Sequence, residues 1–167
     1  MTLVMDGSFL AQTGKVRPEG VNAGALDEAH FDRRQRGITL VVGEGGPPPW
    51  LVDVAGRLRV AFAAAAAEGW RPVSQTVLVS SLQALRKVMD WNTIRPSVTP
   101  TPEGGLQFEW HDAGWDLEIE IEPNGNVETW GRHLSNGTIF DGSLPRTADN
   151  LRVALKDITL HHSAPTG

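Results

Sequence analysis

Cysteine and tyrosine are both absent from this chain. Without cysteine there is no disulfide framework, no thiol nucleophile and no thiolate metal site, which suits a reducing compartment. Long apolar runs are missing too: the longest block, Ala61 to Ala67, is far too short to cross a bilayer. The opening residues Met1 to Gly7 carry no basic segment and no apolar run, so no secretory signal is visible. A cytoplasmic protein with no membrane attachment is expected. Positive charge is also scarce. A formal net charge of −5 argues against a general nucleic-acid binder, which needs a positive footprint to displace counterions. The best local exception is Arg33-Arg34-Gln35-Arg36, three arginines beside Asp32 and Glu28.

What is present fits one domain of 167 residues, long enough to bury a core without staples. Residues 1–37 read as an N-terminal segment, partly irregular, residues 38–160 as an α+β domain and residues 161–167 as a flexible tail. Within the first segment Thr2 to Met5 suggests a strand, Gly14 to Gly24 a loop and Asp27 to Arg36 a short helix. Ile38 to Val42 has the β-branched content of a buried strand, ended by the glycines and prolines of residues 43–49.

Leu51, Val54, Leu58 and Phe62 recur at helical spacing and predict a helix over 51–68, stopped by Gly69. Ser74 is placed to cap a second helix over 75–89, with the stripe Leu78, Leu82, Leu85 and Met89. Prolines 96, 100 and 102 restrict residues 95–103 to an edge strand or an extended lead-in. Strands over 105–110, 115–122, 127–134 and 138–140 follow, and Thr147 can cap a last helix over 148–158. The expected fold is α+β: an antiparallel β-meander packed against two central helices, with a C-terminal helix.

The most informative segment is Trp115 to Glu122, whose apolar and acidic residues alternate without a break. That is the period-two signature of a strand with one buried and one wet face. A four-residue loop at 111–114 would set Trp110 opposite Trp115, Phe108 opposite Leu117 and Leu106 opposite Ile119. It would also set Glu109 opposite Asp116 and Gln107 opposite Glu118, leaving a carboxylate array on the other face. The next hairpin does not resolve. A two-residue turn at Asn124-Gly125 brings Glu128 to the core side, whereas a three-residue turn sends Trp130 to the acidic face. A β-bulge between Val127 and Trp130 is the expected solution, and a Trp130 exposed among acids the alternative.

No catalytic constellation emerges. Asp27-Glu28-Ala29-His30 spells a helicase box, but the phosphate-cradling Gly-Lys-Ser/Thr loop that works with it is missing. None of His30, His111, His133, His161 and His162 has the spacing and companion acid of a zinc helix. The carboxylates share one exposed face, without the contrast in environment that paired acid–base catalysis requires. No cofactor and no metal site is expected, and enzymatic activity finds no support.

Pro96, Val98, Pro100, Thr101, Glu103, Gly104, Gly105, Glu109 and Trp110 are followed by the alternating Asp116 to Glu120. This pattern resembles that of a group of small bacterial proteins with a Pro-Thr-x-Glu/Asp-Gly-Gly hairpin and an acidic strand. The resemblance covers about a third of the chain. Glu68-Gly69-Trp70-Arg71-Pro72 departs from the tryptophan-led motif of that group. The likeness implies a shared fold and no agreed activity.

The preferred expectation is a non-catalytic protein-binding module. It would present Glu109, Asp116, Glu118, Glu120 and Trp130 to a basic protein partner, as an antitoxin-like neutraliser, an inhibitor or a defence-complex subunit would. The alternative is a small-molecule enzyme or ligand binder with a pocket between helices and sheet, near Trp70, Trp91 and Trp110. Nucleic-acid binding through Arg33, Arg34 and Arg36 ranks third, and a homo-oligomer through the free edge of the meander stays open.

Overall fold

The structure, a computed structural model, describes the strands Thr2–Asp6, Leu10–Thr13, Leu26–Asp32 and Gly37–Val42 and the continuous stretch 46–163, with side chains over 46–162. The chain divides into two compact units, Met1–Val52 and Asp53–Gly167.

The first unit holds a four-stranded antiparallel sheet. Its strands β1 (Thr2–Asp6), β2 (Leu10–Thr13), β3 (Leu26–Asp32) and β4 (Gly37–Val42) lie in the order β2-β1-β4-β3. The strand expected at Ile38 to Val42 is present and pairs on both sides, with β1 and with β3. The short helix expected from Asp27 is not: Leu26–Asp32 is a strand, registered on β4 with a shift between Leu26 and Glu28. Leu26, Glu28 and Ala29 favour helix, but Asp27, His30, Phe31 and Asp32 are indifferent helix formers, so the net local preference is small. The backbone bonds offered by the β-branched Ile38 to Val42 outweigh so weak a local preference. The helicase-like tetrapeptide therefore lies on a strand. The loop expected at 14–24 and the arginines at 33, 34 and 36 lie outside the described residues.

The second unit carries the predicted α+β architecture. Helix α1 (Pro49–Ala67), whose first turn spans the boundary between the units, precedes α2 (Gln75–Val88). A five-stranded antiparallel meander follows: β5 (Ser97–Pro100), β6 (Leu106–Asp112), β7 (Trp115–Ile121), β8 (Val127–His133) and β9 (Ile139–Ser143). Helix α3 (Leu144–Ser163) closes the chain and, with α2, lies on the face of β7 and β8. It begins four residues earlier than the sequence suggests and continues through His161 and His162.

Local chemistry explains the helix ends. Ser74 accepts a hydrogen bond from the Val77 amide and caps α2, satisfying one of the orphan donors of the first turn. At the other end Arg152 of α3 donates to the Lys87 carbonyl (2.8 Å), so α3 caps the C-terminus of α2. Thr147 does not precede its helix but sits in the first turn, where its buried hydroxyl bonds to that of Thr129 on β8 and to the Ser143 carbonyl.

The core forms between the inward face of the meander and the helices. Leu106, Phe108, Leu117, Ile119 and Ile121 are fully buried, as are Leu85, Leu151, Leu155 and Ile158. Each such side chain contributes about 1.5–3 kcal/mol when withdrawn from water. The α2 stripe is rotated from the simplest reading: Val77, Ser81, Ala84 and Val88 join Leu82 and Leu85, while Leu78 is only half-buried. Ser81 is tolerated in that stripe because its hydroxyl donates to the Val77 carbonyl (2.7 Å). Among the described residues no buried side-chain nitrogen or oxygen lacks a partner. Trp110 and Trp115 are buried at the core margin, and both indoles donate, to the Ile94 carbonyl (2.8 Å) and to Asp157 (2.9 Å).

One close approach fixes how β9 joins the sheet. Gly131 faces Phe140 across β8 and β9, and a β-carbon on Gly131 would lie 2.2 Å from the ring. The ring occupies the space that any side chain at 131 would need. Gly131→Ala is therefore expected to destabilise the protein by about 1–3 kcal/mol, the cost of overpacking. Urea unfolding measures it. Combining Gly131→Ala with Phe140→Ala should cost less than the sum of the two single changes, because they act on one contact.

Candidate functional site

The outward face of the meander is assembled by strand register. The first hairpin turns on two residues, Ala113 (φ 49°) and Gly114 (φ 80°), rather than the expected four. Positive φ at both positions is the turn that matches the twist of paired strands. The Asp112 carboxylate steadies it by accepting the Ala113 amide (2.7 Å). Every pair consequently slips by two from the expected register: Leu106 meets Ile121, Phe108 meets Ile119 and Trp110 meets Leu117. A slip of two preserves which face each side chain occupies, so the apolar set stays inside. The acidic pairs change, however. Glu109 faces Glu118, Gln107 faces Glu120, and His111 faces Asp116.

The second hairpin takes the three-residue turn. Glu122 donates its amide to Asn126, and Gly125 (φ 90°) occupies the left-handed position that glycine tolerates. Gly125 also abuts α2, where a β-carbon would lie 2.8 Å from the Thr76 methyl. Ile121 pairs with Val127 and the ladder runs regularly to His133. The expected bulge between Val127 and Trp130 is absent. The three-residue turn carries Trp130 to the acidic face.

Three cross-strand rows result. The first reads Ser97, Glu109, Glu118, Trp130, Asp141. The second reads Thr99, Gln107, Glu120, Glu128, Ser143, and the third His111, Asp116, Arg132, Ile139. Glu109, Asp116, Glu118, Glu120 and Trp130 are thus brought together on one face. Glu128 and Asp141 belong to it as well. Their signal was the period of two: once Trp130 points outward, Glu128 and Arg132 must do so, and Asp141 sits opposite Trp130.

The electrostatics are graded along the strands. At one end Asp116 bonds to Arg132 (3.0 Å) and to His111 (3.1 Å). The hydrogen bond from Arg132, then that from His111, holds its carboxyl below the usual aspartate value. In the next row Glu118 is pushed above the usual glutamate value, first by desolvation and then by Glu109 and Glu120. His111 opposes the shift, and Gln107 donates to the Glu118 carboxylate at 3.2 Å. The face does contain contrasting carboxylates, contrary to the expectation of a uniform array, because the register gives Asp116 hydrogen bonds from Arg132 and His111 and sets the more desolvated Glu118 against Glu109. Trp130 is 37% exposed and lies between Glu118 and Asp141, with the Arg132 guanidinium 5.7 Å from its ring.

The remaining candidate residues lie elsewhere. His133 points to the core side, its ring edge-on to Trp115 at 4.6 Å. His162 contacts Asp112 (3.2 Å), and His161 contacts Asp157. Among the described residues no group of histidine and acidic side chains converges as a metal site would require. A groove of about 560 Å³ opens between α2 and the start of α3, lined by Ser80, Lys87, Asn126, Glu128 and Ser143. None of Trp70, Trp91 and Trp110 lines it. No described helix is long and apolar enough to cross a membrane. No family model, curated protein or solved structure matches this chain.

The two shifted carboxylates give opposite pH signatures. Glu118 has its folded value raised, so the cost of its charged form is present at neutral pH and relieved as pH falls through the glutamate range. Glu118→Gln should therefore be more stable than the parent at neutral pH, by up to about 1 kcal/mol at low salt. The gain should vanish on acidification. Asp116 has its folded value lowered, so its stabilisation is present above the unfolded aspartate value and lost as pH falls through the folded one. Asp116→Asn should be less stable at neutral pH and converge with the parent in acid. Urea titrations across that range read both effects.

Proposed function

We propose that this chain is a non-catalytic protein-binding module of the cytoplasm whose meander presents its anionic face to a basic protein. An inhibitor, an antitoxin-like neutraliser or a subunit of a bacterial defence complex would act in this way. The observation that carries the reading is Trp130, a large ring left partly in water in the row between Glu118 and Asp141. Aromatic side chains at such positions anchor interfaces, and the surrounding charge orients the approaching partner. Six carboxylates, Glu109, Asp116, Glu118, Glu120, Glu128 and Asp141, share the face, where Arg132 is the only arginine or lysine among the described residues of these rows. Opposed like charges cost stability in isolation. Lysines or arginines from a partner would turn that cost into attraction. A flat, open face is suited to meeting a surface, whereas catalysis usually requires a cleft that excludes water.

The test is affinity capture from native lysate, with the bound protein identified and its dissociation constant measured. A basic protein should be recovered, more weakly as salt rises. Trp130→Ala should cost about 2 kcal/mol of binding or more, as interface anchors do. The double reversal Glu118→Lys/Glu120→Lys should abolish capture. Binding that survives that reversal unchanged would rule the proposal out.

A further inference from the structure

The two edges of the meander are not alike. β5 is shielded: Pro96 precedes it, Pro100 ends it and Pro102 follows, and proline offers no amide to an incoming strand. β9 contains no proline and none precedes it closely; Pro145 lies two residues past its end, in the first turn of α3. The His133 amide donates to the Thr138 carbonyl at 2.8 Å, which marks that pair as a bonded one. Bonded and non-bonded pairs alternate along an antiparallel ladder. Phe140 and Gly142, opposite Gly131 and Thr129, therefore spend their backbone groups on β8. Ile139 and Asp141, opposite Arg132 and Trp130, aim their amides and carbonyls away from the sheet, where no described strand receives them. Beside this edge Ile139, on the same face as Trp130, is 65% exposed, and Leu134 in the turn that follows β8 is 60% exposed.

Resting on the proposed anionic face, we infer that β9 accepts an extended basic segment of the partner as a sixth strand of this sheet. A residue added opposite Asp141 extends the row Glu109, Glu118, Trp130, Asp141. The residue two further along lies opposite Ser143, at the end of the row containing Glu120 and Glu128. Lysine or arginine at those two alternate positions meets Asp141 and Glu128, while the outward backbone groups of Ile139 and Asp141 supply main-chain bonds. This is strand addition, in which the ladder gives affinity and alternate side chains give specificity. A second copy of this chain fits poorly, because it would set one anionic face beside another.

The probe is a short, end-capped peptide alternating lysine and valine, compared with a block peptide of the same composition. The alternating peptide should bind more tightly, and hydrogen exchange at the Ile139 and Asp141 amides should slow. Ile139→Pro removes an outward donor without touching the bonds to β8 or the net charge. It should weaken binding about tenfold, the scale of one or two ladder bonds. Two further versions of the peptide carry N-methyl groups on the lysine amides or on the valine amides, and only one set can face β9. Loss of binding in one version alone supports the inference even where the proline variant does not fold. Equal effects in both versions, or no preference for the alternating peptide, overturn it. So does a self-associated protein whose dimer is lost in the proline variant. If Glu118→Lys/Glu120→Lys abolishes capture of the basic protein while Ile139→Pro leaves peptide affinity intact, the anionic face stands and the edge inference falls.

Discussion

Glu109 and Glu118 stand directly opposite one another, and Glu120 stands opposite Glu128. Once Leu106, Phe108, Leu117 and Ile119 are committed to the core, the pleat leaves these carboxylates no other side to occupy. Burial of the apolar face, at about 1.5–3 kcal/mol for each large side chain, outweighs repulsion of at most about 1 kcal/mol for each acidic pair. The same hydrophobic commitment that builds the core therefore holds the anionic face in place. The charge is a consequence of folding that the fold can carry, and it stays available to anything cationic that approaches.

Turn geometry decides the rest. The slip of two at Ala113-Gly114 leaves the two faces intact but redistributes charge within one of them. It pairs Asp116 with His111 and sets Glu118 against Glu109. The three-residue turn ending at Gly125 has the larger effect, because it determines the side to which Trp130 is sent. Neighbouring carboxylates on one strand thus acquire opposite shifts: the hydrogen bond from Arg132 on β8 lowers Asp116, whereas desolvation first, then Glu109 on β6 and Glu120 on β7, raise Glu118.

The alternation of Trp115 to Glu122 made the faces legible from sequence, since a period of two assigns a side to each residue whatever its partner. Partners were not legible in the same way. The Asp112-Ala113-Gly114 segment fits a two-residue or a four-residue loop, and alanine at positive φ is unusual enough that composition argues against the turn actually used. The β7–β8 turn was ambiguous for a different reason. Its glycine packs against Thr76 and Ser80 on α2, contacts far away in sequence that the local residues do not announce. The strand at Leu26–Asp32 was missed because its ladder partner, β4, supplies a preference that its own residues lack. Ser74 as a cap and the prolines around β5 were readable because their effects are confined to their own backbone. Glu128 and Asp141 became candidates only after Trp130 was placed.

The asymmetry of the sheet's edges bears on where a partner would approach. Trp130 lies one strand from β9 and three strands from β5, so the exposed ring belongs to the unguarded side. Asp141 stands between the ring and the open edge, whereas Glu109 and Glu118 stand on its far side. Arg132 pairs with Asp116 and partly neutralises the end of the face nearest His111. The uncompensated charge is therefore concentrated in the rows of Glu118 and Glu120. A cation reaching those rows from the β9 side meets Asp141, then the Trp130 ring, then Glu118. That order places an aliphatic stem against the aromatic ring while its charged end reaches the carboxylate held above its usual value. Such a contact offsets the repulsion that Glu109 and Glu120 exert on Glu118.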